Sequence, residues 1–411
     1  MQIAFEQFTL ENGLRVIVHE DHTIPKAVVN VLYRVGSKDE SPEKTGFAHL
    51  FEHLMFRGSK HIPNYDRPLQ QVGGQNNAFT SCDITNYYLT VPSNQLETGF
   101  WLESDRMLGL DFTQENLEAE KSVVIEEFKQ RYLNQPYGDA YMKLRGLHFD
   151  VHPYQWATIG KEISHIEEAT MDDVQQFFYG FYAPNNATLV VAGDVTVPQV
   201  RDLAEKWFGP IPHRQLNKKP LPVEPPQTKV KTHTTTGPVP FPAVYKMYHI
   251  PGLTEDAYYA ADILTDIMAS GKGSLLQQHI VRNKQLSPNA SAFTWGMYEP
   301  GALSVDGRLA PSVEIETYEA ALEEVYAQLH ATTEEALERV KGKIKAVMVM
   351  RNTTILNKAM GLARGDAMGT PNLVNEMAGK YERITLAEMQ KAAETYLRPE
   401  NSSTLYYLPQ N

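Results

Sequence analysis

The stretch TMDDVQQFFYGFYAPNNATLVV, residues 170–191, has a counterpart in TLAEMQKAAETYLRPENSSTLYY at residues 385–407. In both copies a Thr precedes a helix-like run and an acidic residue follows three positions later, which is the pattern of a capping box. A Pro then ends the run, and residues typical of a strand follow. The sequence therefore predicts one helix–turn–strand unit in each of two homologous domains, although two unrelated units remain an alternative because caps and prolines are common. Four identities keep a constant separation of 215 positions: Thr170 and Thr385, Gln175 and Gln390, Pro184 and Pro399, Asn186 and Asn401.

A second pair of matching segments lies near the start of each half, where a strand-like run precedes a helix-like run. The helix-like runs read FAHLFEHLMFRGS at residues 47–59 and AADILTDIMASG at residues 260–271. Both copies keep the same apolar face, so the fold does not require the His-Glu-His set that only the first copy carries. Those residues need a chemical explanation. They are His49, Glu52 and His53, which align with Asp262, Thr265 and Asp266.

The composition changes between the two halves. Residues 209–242 are rich in Pro and Thr and contain few large apolar residues, as expected of an extended, semi-rigid linker. A chain of 411 residues is long enough for two domains. The sequence therefore predicts an N-terminal domain at residues 1–209, a linker at 210–241 and a homologous domain at 242–411.

The order of predicted elements indicates the fold class. Strand-like runs mix with longer helical periods, without strict alternation of strand and helix. This mixture predicts the α+β class, with two-layer domains and largely antiparallel sheets. The helical periods cover residues 94–108, 114–133 and 313–345.

Charge and cysteine content exclude several classes of protein. The net charge is −12, and the Lys and Arg residues are scattered, which argues against nucleic-acid binding and against docking on an anionic membrane. The single Cys82 cannot form an intramolecular disulfide. No window resembles a signal peptide or a membrane span. We therefore expect a cytoplasmic protein, or a periplasmic one if a signal peptide has been removed.

The ionisable residues of the first copy have metal-site spacing. His49 and His53 are four positions apart, so on a helix their imidazoles lie on one face and can bind the same ion. Glu52 would lie beside them, where it could accept a proton from water held by the metal. A lone His on such a helix is more often an ordinary core residue, but two at this spacing with a Glu predict a metal site.

A catalytic zinc site needs a third protein ligand and one open position. Glu120 and Glu127 lie seven positions apart in a helix-like stretch, and therefore on one face. Glu127 could be the ligand, and Glu120 could orient a ligand or the reacting water. Spacing alone does not separate Glu127 from Glu126, although Glu115, Glu118 and Glu126 fit a solvated helix face.

The H-x-x-E-H order is the inverzincin signature, and the chain resembles the pitrilysin/insulinase family of zinc peptidases, which includes the mitochondrial processing peptidase and half-length bacterial relatives. The resemblance identifies EKSVVIEE, residues 120–127, with the family's third-ligand segment, which implies Glu127 as ligand and Glu120 as supporting carboxylate. It also implies two homologous α+β domains, one zinc ion per chain, and a dimer enclosing a chamber where unfolded peptides are cut. Further matching stretches are LENGLRVIV, GSKDESPEKTGFAHLFEHLMFRGS, VGGQNNAFTSCDITNYYLTVP and FYAPNNATLVVAGDV.

Substrate contacts are predicted on a strand. A strand with a free edge can pair with a peptide backbone, and in similar enzymes an Asn-Ala pair lies on such an edge. The corresponding residues here are Asn77 and Ala78. The alternative is that these residues only build a turn.

The chain departs from the family in its second half. Members that act alone carry an Arg and a Tyr seven positions apart that contact substrate. This chain has Arg282, which could still contact substrate, and then Asn289 in place of the Tyr. The resemblance therefore implies a zinc-bearing catalytic subunit of a heterodimer whose partner supplies the Arg-Tyr pair, with a homodimer as the alternative. Two other interpretations stay open: a non-catalytic assembly subunit of the same family, and a metal-binding chaperone for peptides.

Overall fold

The structure is a computed structural model that describes residues 2–410. Its contacts divide the chain into two compact units. Unit 1 comprises Met1–Phe128, Trp156–Leu221 and Val349–Glu376, and unit 2 comprises Lys129–Gln155, Pro222–Met348 and Met377–Asn411. Each unit therefore contains a segment from the opposite half of the sequence.

The strands and helices confirm the α+β class. In chain order the strands are β1 Glu6–Thr9, β2 Arg15–Glu20, β3 Lys26–Tyr33, β4 Gln75–Thr80, β5 Thr85–Pro92, β6 Ala187–Gly193, β7 Lys231–Gly237, β8 Ala243–Ile250, β9 Asn289–Trp295, β10 Gly301–Arg308 and β11 Ser402–Pro409. The α-helices are α1 Phe47–Leu54, α2 Asp66–Gln71, α3 Leu96–Leu108, α4 Gln114–Phe128, α5 Ala140–His148, α6 Ser164–Glu167, α7 Met171–Phe181, α8 Val197–Trp207, α9 Asp256–Ala269, α10 Ile315–Leu329, α11 Glu334–Arg351, α12 Ile355–Ala367, α13 Leu373–Glu382 and α14 Leu386–Tyr396. Short π-helical segments cover Lys129–Leu133 and Gln277–Asn283.

Each unit is built on one mixed sheet. Unit 1 has the strand order β1-β2-β6-β3-β5-β4, and unit 2 has β7-β11-β8-β10-β9. In each sheet one pair is parallel, β2 with β6 and β7 with β11, and all the other pairs are antiparallel. The two sheets have the same order apart from the additional edge strand β1, as the internal repeat predicts.

The repeat extends to individual hydrogen bonds. Asn186 donates from Nδ2 to the carbonyl oxygens of Phe181 and Arg34, at 2.8 and 3.2 Å. Asn401 donates to the carbonyl oxygens of Tyr396 and His249, at 2.8 and 2.9 Å. Both amides are buried, and each joins the end of a helix to the end of the strand beside it. The matching Thr170 and Thr385 both form capping boxes, as predicted.

Each unit includes a helix from the opposite half of the chain. In unit 1, α12 packs on β3 and β6, and in unit 2, α5 packs on β8 and β11. The buried carboxylate of Asp366 in α12 accepts hydrogen bonds from Thr188 and Arg34, both at 2.5 Å, and from Arg15. A paired, buried carboxylate of this kind is costly to disrupt, so it fastens α12 to the sheet.

Two details differ from the sequence predictions. Residues Lys231–Gly237 of the predicted linker form strand β7. The helical period predicted over 313–345 is interrupted after Leu329, where α10 ends, and α11 begins at Glu334. The boundaries 1–209, 210–241 and 242–411 follow the halves of the sequence and stay a prediction, since the compact units are assembled differently.

In the described part of the chain, no helix has both the length and the apolar composition needed to cross a membrane.

Candidate metal centre

The helix α1 presents three ionisable side chains from an otherwise apolar segment. Phe47, Leu50 and Phe51 are buried in the core of unit 1. His49 is 9% exposed, whereas Glu52 and His53 are half-buried. The helix thus uses its apolar residues for packing and leaves one face for polar chemistry, as the i, i+4 spacing predicts.

The side chains of His49, His53 and Glu127 converge. Nε2 of His49 lies 3.7 Å from Oε1 of Glu127, and Nε2 of His53 lies 3.4 Å from Oε2 of the same carboxylate. One ligand atom from each residue lies within 4.8 Å of the others. Two imidazole nitrogens and one carboxylate oxygen are the donor set of a common catalytic zinc site, so these residues fit a zinc ion.

The helix α4 places Glu127, and not Glu126, in this group. The two residues are adjacent, so on a helix their side chains point about 100° apart. Glu127 therefore lies close enough to His49 and His53 to share an ion with them, and its role as ligand stays a prediction.

Glu120 is not one of the three converging residues, but it contacts one of them, His53. Its Oε2 atom is 3.2 Å from Nδ1 of His53, and its Oε1 atom accepts a hydrogen bond from Nε of Arg57. Burial acts to raise the pKa of Glu120, but the hydrogen bonds from His53 and Arg57 outweigh it and lower that pKa. Burial acts to lower the pKa of His53, and the Glu120 hydrogen bond and the charges of Glu120, Glu127 and Glu52 raise it. Because Glu120 accepts at Nδ1, Nε2 of His53 is directed toward Glu127.

The partner of Glu120, Arg57, was not predicted from the sequence. It lies four positions after His53, just beyond the end of α1, where the chain still turns through hydrogen bonds from Phe56 to His53 and from Arg57 to Leu54. Its position four residues after His53 was a signal in the sequence for a side chain on the same helix face. The sequence did not show that α4 lies beside α1, so no carboxylate partner could be assigned to Arg57.

Glu52 is held by a residue of the edge strand β4. Thr80 donates from Oγ1 to Oε2 of Glu52 at 2.6 Å. This contact was also missed, because Thr80 and Glu52 lie on different elements. A hydrogen bond to one carboxylate oxygen limits rotation of the side chain.

Asn77 and Ala78 lie on β4, whose outer edge is the end of the sheet in unit 1. The backbone N–H of Ala78 donates to Oδ1 of Asn77 at 2.8 Å. The prediction of a strand edge at this position is consistent with the structure, and the residues do not merely form a turn.

Arg282 lies in the π-helical segment Gln277–Asn283 of unit 2 and is not part of the group formed by α1 and α4. Asn289 begins β9, an edge strand of the sheet in unit 2.

The second copy has a different network in place of the metal group. On α9, Asp262 accepts hydrogen bonds from Thr294 Oγ1 at 2.5 Å and from the Tyr381 hydroxyl at 2.6 Å. Within residues 2–410, the group of His49, His53 and Glu127 is the one that brings enough ligand atoms together for a metal. The comparison supports a functional rather than a structural reason for the histidines of α1.

Two sequence models of one family match the chain. One, described as Insulinase (Peptidase family M16), matches residues 15–138, and the other, described as Peptidase M16 inactive domain, matches residues 168–344. The two matches together cover more than half of the chain. The chain belongs to peptidase family M16, and the resemblance seen in the sequence is confirmed.

Individual relatives agree with this assignment. Zinc protease PqqE of Helicobacter pylori is 27% identical over 419 residues, covering 98% of this chain and 93% of the relative. The crystal structure of a protease from Helicobacter pylori has a TM-score of 0.93 at 26% identity and matches 100% of both chains. The mitochondrial-processing peptidase subunit beta of Caenorhabditis elegans is 29% identical over 210 residues, which are 50% of this chain and 44% of that protein. These names support a peptidase function.

Proposed function

We propose that this chain is a zinc-dependent endopeptidase that cleaves unfolded peptides or short polypeptides. The convergence of His49, His53 and Glu127 carries the proposal, since it supplies the donor set of a catalytic zinc site on the helix that also carries Glu52. Membership of a family whose relatives are named zinc proteases supports the same conclusion.

The proposed ligands are His49, His53 and Glu127, and a zinc ion held there supplies a Lewis acid that polarises a carbonyl and makes water more acidic. Glu52 accepts a proton from the attacking water at the carboxylate oxygen that Thr80 does not contact. It then returns that proton to the amide nitrogen as the C–N bond breaks. Glu120 keeps the Nδ1 proton of His53 hydrogen-bonded, and Arg57 holds Glu120 in place.

The variant Glu52→Gln tests the proposed role of Glu52. The amide is isosteric but cannot accept the proton, so peptide hydrolysis should fall by about two to four orders of magnitude. Zinc content should stay that of the wild type, because Glu52 is not a proposed ligand. Turnover of an unstructured fluorogenic peptide, with metal analysis of the same samples, measures both quantities. Normal turnover in Glu52→Gln would exclude Glu52 as the general base.

Substrate binding is proposed at the edge of β4. A peptide in extended conformation would add a strand there and run past Glu52, because Thr80 on the same strand contacts Glu52. Adjacent residues of a strand direct their backbone groups to opposite edges, so Ala78 would contribute backbone hydrogen bonds and Asn77 its side-chain amide. The variant Ala78→Pro removes one backbone donor from the edge and should raise KM more than it lowers kcat. An unchanged KM would argue against strand addition at this residue.

We further propose that the chain works in a dimer enclosing a chamber, as the zinc-bearing subunit of a heterodimer. Asn289 stands where solitary members have Tyr, and one relative is named as a subunit of the mitochondrial-processing peptidase. Arg282 remains a proposed substrate contact. The chain purified alone should hydrolyse peptides slowly, and a partner with an Arg-Tyr pair should restore the rate. Full turnover without a partner would favour the homodimer.

A non-catalytic assembly subunit is the alternative function. Its best support is the family description that names residues 168–344 as an inactive domain, although that region excludes His49, His53 and Glu127. Zinc binding without peptide cleavage by the chain, alone or with its partner, would favour this alternative or a peptide chaperone.

A further inference from the structure

The helix that carries His49 lacks a capping side chain of its own. The residue preceding α1 is Gly46, which has φ = 91° and no side chain to accept from the first turn. A Cβ atom at Gly46 would lie 2.6 Å from the carbonyl oxygen of Ile159, so only glycine fits. The first N–H groups of the helix therefore need an acceptor from elsewhere in the chain.

Glu40 provides that acceptor. Its Oε2 atom accepts from the backbone N–H of Gly46 and its Oε1 atom from that of Ala48, both at 2.9 Å. The indole Nε1 of Trp156 also donates to Oε2, at 3.2 Å. Glu40 is 7% exposed, so a buried carboxylate is bound by three N–H groups at the positive end of a helix.

The position of these contacts links Glu40 to the metal group. Ala48 directly precedes His49, so the bond at its N–H fixes the turn from which the His49 side chain projects. The second turn is fixed separately, since the Tyr87 hydroxyl donates to the Phe51 carbonyl at 3.2 Å and Glu120 contacts His53. A helix of eight residues has little stability of its own, so the relative placement of its two turns depends on such contacts.

We propose that Glu40 is a positioning residue of the metal centre, which holds the first turn of α1 so that His49 and His53 can bind one zinc ion together. This inference rests on the proposed function. Glu40 acts on the backbone N–H of Ala48, the residue before His49, and its effect is transmitted through that backbone. Groups that hydrogen-bond directly to a metal ligand typically change metal affinity by about 10- to 100-fold, so a group that acts through the backbone should change it by less.

The variant Glu40→Gln tests the inference with the volume of the side chain unchanged. The amide has one acceptor oxygen, and its NH2 group would face a backbone N–H, so one helix contact is lost. We expect the dissociation constant for Zn²⁺, measured by competition with a chromophoric chelator, to rise by roughly 5- to 10-fold, which corresponds to the loss of one hydrogen bond. The visible absorption bands of the Co²⁺-substituted protein should also shift, because the ligand geometry changes.

The matched control is Thr196→Ala. Thr196 caps α8 in the same unit by accepting from the N–H of Gln199, and α8 carries no metal-group residue. Its loss should lower the melting temperature but leave Zn²⁺ affinity and the Co²⁺ spectrum as in the wild type. Comparing the two variants separates positioning of the metal group from a general loss of stability.

A second variant covers the case in which Glu40→Gln does not fold. Trp156→Phe removes one donor to Glu40 and leaves both helix contacts in place, so a smaller loss of affinity, about threefold, is expected. A folded Glu40→Gln protein, or Trp156→Phe if it alone folds, with wild-type Zn²⁺ affinity and an unchanged Co²⁺ spectrum would overturn the inference. Absence of Zn²⁺ binding by the wild type would overturn the proposed function and this inference together.

Discussion

Oε2 of Glu120 lies 3.2 Å from Nδ1 of His53, and the other oxygen of the same carboxylate is bonded to Arg57. The carboxylate therefore links a proposed zinc ligand to a cation at the surface of the unit. An imidazole that binds a metal through Nε2 is typically oriented by an acceptor at Nδ1, and Glu120 has that position.

Replacing Glu120 by Gln should weaken zinc binding without abolishing it. The amide can still accept at Nδ1 of His53 but carries no charge, so we expect about a 10- to 100-fold loss of zinc affinity. Glu118→Gln on the same helix is the matched control, because its side chain is 54% exposed and contacts Lys121. Chelator competition measures both variants. Equal affinities for Glu120→Gln and Glu118→Gln would contradict the role of Glu120.

The buried amide of Asn401 should contribute measurably to stability. Asn401→Ala leaves the carbonyl oxygens of Tyr396 and His249 without this donor, which should lower the free energy of unfolding by about 2 kcal/mol. Asn134, which is exposed, is the control, and Asn134→Ala should change stability by less than about 0.5 kcal/mol. Chemical denaturation gives both values, and equal stabilities would argue against the repeated amide bridge.

A stacked pair of histidines should make unit 2 sensitive to acid. The rings of His148 and His249 are 3.6 Å apart between centroids. Burial, His249, Lys231 and Arg145 lower the pKa of His148 well below 6.5. Burial lowers the pKa of His249 to about 4, with Lys231 acting in the same direction and Glu224 and Asp150 opposing it.

The direction of the pH effect follows from these pKa values. The unfolded chain binds protons at these imidazoles near pH 6.5, whereas the folded protein does so only at lower pH. The free energy of unfolding therefore has its full value above about pH 6.5 and decreases as the pH falls toward 4. The decrease due to His249 is on the order of 3 kcal/mol. A double variant, His148→Gln with His249→Gln, should flatten the pH dependence of unfolding over this range. The control His233→Gln, at an exposed site on β7, should keep it.

The sequence predicted features that depend on local pattern. The capping Thr170 and Thr385 and the repeated Asn186 and Asn401 indicated the duplication, because each acts within one short segment. The spacing of His49 and His53 indicated a shared helix face for the same reason. These predictions needed no knowledge of which segments meet in the folded chain.

Other features depend on contacts between distant segments. The exchange of residues 129–155 and 349–376 between the units has no local signal, because the anchor formed by Asp366 and Arg34 joins residues from opposite halves. Strand β7 was interpreted as linker because its sequence, KTHTTTG, is poor in large apolar residues. Thr is nevertheless a favourable residue at the exposed edge of a sheet. The contacts of Glu120 with Arg57 and of Glu52 with Thr80 were not predicted, because each joins residues that are far apart in the sequence.

The central claim is that Glu127 binds a zinc ion together with His49 and His53. A comparison of Glu127 with the adjacent Glu126 tests it most directly. Zinc content is measured in the wild type, in Glu127→Gln and in the neighbouring control Glu126→Gln, each after removal of loosely bound metal. We predict about one zinc ion per chain in the wild type and in Glu126→Gln, and a loss of nearly all zinc in Glu127→Gln, because a neutral amide is a poor zinc ligand. Equal zinc content in Glu127→Gln and the wild type would contradict the proposed centre.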